Sequence, residues 1–71
     1  MSKFDFTKAE INYFIDKCML NEELALILTW LNMGYSRIQV KMMLEEKNYY
    51  MSESTLDRKI KKIKKKIIKV I

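Results

Sequence analysis

Four times along this chain a small polar residue that can cap a helix stands between two apolar residues five positions apart. That is the hydrophobic staple: the residue before the cap packs on a residue one turn into the helix, and the cap oxygen accepts a backbone N–H that the first turn leaves unpaired. Thr7 lies between Phe6 and Ile11, and Ser36 between Tyr35 and Val40. Each also has Glu or Gln three residues on, Glu10 and Gln39, which completes a capping box. Asn21 lies between Leu20 and Ala25, with Glu22 and Glu23 in the first turn, where the helix dipole favours negative charge. Ser52 lies between Met51 and Leu56, with Thr55 at the box position. Four starts in 71 residues predict four helices joined by short links.

The apolar spacing agrees with a helical period. Ile11, Phe14, Ile15 and Cys18 share one face of the first helix, and Leu24, Ile27, Leu28 and Leu31 one face of the second. Val40, Met43 and Leu44 line the third, while Leu56, Ile60, Ile63, Ile67 and Val70 line the fourth in alternating steps of four and three, a seam that faces a partner along its whole length. The chain has no proline and one glycine, Gly34, placed as the left-handed C-cap of the second helix. These signals set the helices at about 8–20 and 22–33, then a helical pair over about 36–66, with a tail at 67–71. The third helix ends between Leu44 and Asn48, and Glu45 to Tyr50 either lengthen it or form a loop. The expected fold is one all-α domain over residues 1–71.

A domain this small sits near the lower limit for a core without a metal, a disulfide or a second subunit. With one cysteine, Cys18, and no histidine, neither an internal disulfide nor a Cys/His zinc site can be assembled in one chain, and no cofactor is implied. That cysteine usage fits a reducing, cytoplasmic setting. The start carries no apolar signal core, and the longest apolar run, Leu24 to Leu28, is far short of a membrane span. Cys18 lies on the apolar stripe with no base beside it, so a buried thiol is the better reading than a nucleophile. Glu22/Glu23 and Glu45/Glu46 are sequence neighbours that point apart on a helix, which argues against an acid/base dyad. A single glycine cannot build a phosphate-cradling loop. No enzyme is expected. Trp30 falls beside the core stripe, where partial burial is the default over a partner anchor, and the methionines read as gap-fillers rather than a binding groove.

Charge is divided unevenly. Residues 51–71 carry eight Lys or Arg against two Asp or Glu, whereas residues 1–50 carry six against seven. At about 100° per residue, Ser54, Arg58, Lys61, Lys62, Lys65 and Lys69 fall opposite the apolar seam of the fourth helix. Hydroxyls followed by Arg and Lys suit a helix in a major groove, where an arginine reads base edges and lysines track phosphates. The competing reading is a solvated face with no partner.

At this point the chain resembles a known group of DNA-binding domains. Gly34-Tyr35-Ser36, Gln39-Val40 and Leu44, followed by Ser52, Thr55 and Leu56, resemble the helix-turn-helix of sigma-factor region 4, LuxR-type output domains and resolvase/invertase domains, over about Asn21 to Ile67. The resemblance implies that Ser36 to Leu44 form the supporting helix and Glu53 to about Lys65 the recognition helix. Two features depart from the group: Lys41 stands where it places Ala or Gly, and the spacer from Leu44 to Ser52 is about five residues longer than a tight turn. Tyr49 and Tyr50 in that spacer either touch a DNA backbone or close the edge of the core.

The expected function is sequence-specific binding of double-stranded DNA by a small transcriptional regulator. Ser36, Arg37, Ser52, Ser54, Thr55, Arg58, Lys59, Lys61, Lys62 and Lys65 are the candidate contacts, and Asp57 needs Lys61 or a cytosine amino group as partner. The rival is a helical adaptor or inhibitor whose basic helix docks on an acidic protein, such as part of the transcription machinery; a membrane-surface helix is a third reading. Ile67, Ile68, Val70 and Ile71 form an apolar end that a three-helix support would leave uncovered. Either a second copy covers it, giving a homodimer, or the tail folds back on Phe4, Phe6 and Phe14, or it frays in solution.

Overall fold

A computed structural model of the chain describes residues 5–71. It holds four helices, α1 (Lys8–Lys17), α2 (Glu22–Asn32), α3 (Arg37–Glu46) and α4 (Glu53–Val70), and no strand among the described residues. Each begins at its expected cap. The Thr7 hydroxyl accepts from the Glu10 N–H at 3.1 Å while the Glu10 carboxylate accepts from the Thr7 N–H at 2.8 Å. Ser36 and Gln39 repeat the exchange at 3.2 and 2.9 Å. The Asn21 side chain accepts from the Leu24 N–H at 2.9 Å, and Ser52 from the Thr55 N–H at 3.2 Å.

The helix ends share a device that the sequence signals only once. Gly34 (φ 101°) gives its N–H to the Leu31 carbonyl at 3.0 Å, and Tyr35 gives its own to Trp30 at 3.2 Å, the two bonds of a Schellman cap. Met19 (φ 53°) and Leu20 do the same for α1, bonding the Asp16 and Ile15 carbonyls at 3.2 and 3.0 Å. That left-handed residue ends α1 at Lys17, three residues before the expected limit near 20. Leu20 and Tyr35 each close one helix and precede the cap of the next, which keeps both links short. Asn48 (φ 69°) and Tyr49 cap α3 through the Glu45 and Leu44 carbonyls at 3.0 and 2.9 Å. Residues 47–52 therefore form a link rather than an extension of α3.

α2 and α4 are the central pair, each packed against the other three helices, while α1 and α3 do not pack on one another among the described residues. Ile27, Leu28, Val40, Leu44 and Ile63 are wholly buried, and Cys18 is a buried free thiol. Trp30, Leu31, Met43 and Met51 are partly buried against this core. The segment before α1 is held by Asn32, whose side chain accepts from the Phe6 N–H at 2.8 Å and donates to the Phe6 carbonyl at 2.9 Å. Phe6 meets Phe14 edge to face at 4.9 Å.

The tail set at 67–71 continues α4, which runs on to Val70 as its seam indicates, and Ile67 is 3% exposed within the chain's own core. α1 packs on α4 beside α2 and α3, so the support extends further than three helices were expected to reach. Ile67 and Val70, expected as oligomer contacts, instead pack within or against that core. Only Ile68 and Ile71 of the apolar end remain exposed. Phe4 lies outside the described residues.

Candidate nucleic-acid interface

The buried seam of α4, Leu56, Ile60, Ile63 and Ile67, fixes which side of the helix faces out. Opposite it Ser54, Arg58, Lys61, Lys62, Lys65 and Lys69 are all exposed, so the two faces separate as the helical wheel predicts. The start of α4 carries a chain of side-chain hydrogen bonds. Ser52 Oγ lies 3.2 Å from Ser54 Oγ and donates to Thr55 Oγ1 at 3.1 Å, and Thr55 Oγ1 also accepts from Arg58 Nη2 at 3.2 Å. Arg58 is thus held back along its own helix towards the N-terminus. Thr55 itself is half-buried.

The starts of α3 and α4 lie together. Arg37, Ile38, Glu53, Ser54, Leu56 and Asp57 line one groove of about 300 Å³ between them. Arg37 Nη2 approaches Asp57 Oδ1 at 3.1 Å, and Lys61 Nζ approaches Asp57 Oδ2 at 3.6 Å. The pairing of Asp57 with Lys61 was legible at a spacing of four; Arg37 adds a second, non-local partner. Despite that approach, Asp57 Oδ1 is shielded from water without a hydrogen bond. Ser36 is exposed at the same helix start as Arg37. Its oxygen accepts from Gln39 while its O–H stays available to donate, as a phosphate contact requires.

Lys59, expected among the DNA contacts, stands apart from the other candidates. It lies on the inner flank of α4, is half-buried, and pairs with Glu23 of α2. Its ammonium braces the central helix pair. Lys41, at the position where the resembled domains carry a small residue, is half-buried and pairs with Glu45 at 2.9 Å. Tyr49 closes the core edge: burial first, then the Glu22 and Glu23 carboxylates and a hydrogen bond to Glu22, push its phenol above the ordinary value. Tyr50 of the same link is 72% exposed. No helix among the described residues is long and apolar enough to cross a membrane.

The arrangement brings a helix start with Arg37, a cluster of hydroxyls and a cationic stripe onto one side of the chain, chemistry suited to a polyanion with hydrogen-bonding edges. Compared with protein-family models, with curated proteins and with solved structures, the chain gives no match.

Proposed function

We propose that this chain binds double-stranded DNA sequence-specifically as a small transcriptional regulator, with α4 in the major groove and the start of α3 on the flanking phosphates. One observation carries the reading: the exposed basic face of α4 lies opposite the seam that fixes the helix to the core, and it adjoins the N-terminus of α3 at Arg37. A rigid helix with cations outward and hydroxyls near its start has the parts of a base reader. The test is the affinity for a labelled random duplex measured from low to physiological salt. Four to eight phosphate contacts give a log–log slope of about −4 to −7, whereas a slope of about −1 to −2 overturns the reading.

One observation favours a second reading. Ile68, 71% exposed, interrupts the basic stripe, and Ile71 is exposed beyond it. An apolar residue framed by lysines suits an acidic protein segment, such as one in the transcription machinery, better than phosphate. These two residues also offer what remains for a second copy, although the surrounding lysines oppose such a pair. Retention on duplex DNA with a steep salt response decides for the first reading.

A further inference from the structure

We infer that Asp57 is a specificity-determining residue, reading a cytosine amino group once Arg37 has left it for a backbone phosphate. The inference rests on the duplex-binding reading above. In the free chain Asp57 is held by two pairings, Arg37 Nη2 at 3.1 Å from Oδ1 and Lys61 Nζ at 3.6 Å from Oδ2. Neither is a well-made hydrogen bond: the first leaves Oδ1 shielded and without one, and the second is too long. Both cations are exposed, the Arg37 side chain by 62% and that of Lys61 by 72%, so both can swing to another anion.

A phosphate at this corner competes for Arg37 with two forked oxygens and has the α3 N-terminus beside it. When it takes the guanidinium, the Asp57 carboxylate is left in the groove near DNA charge with one long pairing. An anion in that state opposes binding unless the DNA supplies a donor. The major groove offers two amino groups, cytosine N4 and adenine N6. Adenine places the acceptor N7 beside its amino group, which repels the second carboxylate oxygen, whereas cytosine places a C–H there. Asp57 therefore favours cytosine and penalises the other bases, a selection made largely by rejection. The groove's other carboxylate, Glu53, is the exposed first residue of α4, where the helix dipole already compensates it.

The experiment is selection of bound duplexes from a random pool by the full chain and by Asp57→Ala, Asp57→Asn and Glu53→Gln, with thermal unfolding of each variant to confirm the fold. The wild type enriches cytosine about tenfold at one position. Asp57→Ala loses that preference alone and binds random duplex about 3- to 10-fold more tightly, because one opposing charge is gone. Asp57→Asn moves the same position towards adenine, the base an amide pairs with. Glu53→Gln keeps cytosine. Duplex retention with a cytosine preference that survives in folded Asp57→Ala overturns the inference and leaves the DNA reading standing. Failure of the wild type to retain any duplex overturns both.

Discussion

Along the inner face of α4, Leu56, Ile60, Ile63 and Ile67 are at most 3% exposed, while along the outer face Ser54, Arg58, Lys61, Lys62, Lys65 and Lys69 all meet water. The inner residues are selected by volume and shape, because they interdigitate with α1, α2 and α3. The outer residues are free of core packing, and apart from the Arg58–Thr55 and Lys61–Asp57 contacts their shared charge is what the proposed function uses. One helix therefore separates the residues that hold the molecule together from those that the proposed function places on DNA.

The sharpest way to break this division is to exchange the effects. Ile63→Ala removes wholly buried apolar volume and should cost about 2–5 kcal/mol in denaturant unfolding. For a domain this small, that is much of its total stability. Lys65→Ala should change stability by less than about 0.5 kcal/mol and lower the salt slope for duplex DNA by about one. A large stability loss at Lys65 would show that the outer face is structural after all.

A finer test uses two lysines three residues apart. Lys59→Ala breaks the half-buried pair with Glu23 and should cost about 1–2 kcal/mol, between the exposed and buried limits, with no change in salt slope. Lys62→Ala should do the reverse: a slope lower by about one at unchanged stability. Matching behaviour in the two would erase the boundary drawn between the faces.

The helix starts were legible because a cap and its staple are local, carried within six residues each, as at Thr7 and Ser36. Two of the ends were not, because Met19 and Asn48 adopt left-handed backbone for which glycine is the usual sign. The role of Lys59 escaped the sequence because its partner lies on α2, 36 residues away. The same holds for Arg37 and Asp57, whose contact depends on how α3 and α4 are juxtaposed. Periodicity placed Ile67 on the inward seam of α4, but how far along that seam the other three helices reach is a tertiary property that the spacing does not encode.

The links carry modest effects on stability. Gly34→Ala places a side chain on backbone with φ 101° and should cost about 1–2 kcal/mol, although no atom lies within 4 Å of the added methyl. Met19→Gly relieves the same kind of strain and should gain up to about 1 kcal/mol, since its exposed side chain has little packing to lose. Both are read from thermal or denaturant unfolding. Opposite signs at these two positions would tie the shared cap geometry of the short links to stability alone, with DNA affinity unchanged in both.

The most direct measurement of the central claim is a titration of the isotope-labelled chain with a short duplex, followed through its backbone amide resonances. The account predicts shifts concentrated at residues 36–38 and on the outer positions of α4 from Ser54 to Lys65, with α1 amides unmoved. Shifts centred on α1 or α2, or none at a duplex concentration that saturates other assays, would contradict it.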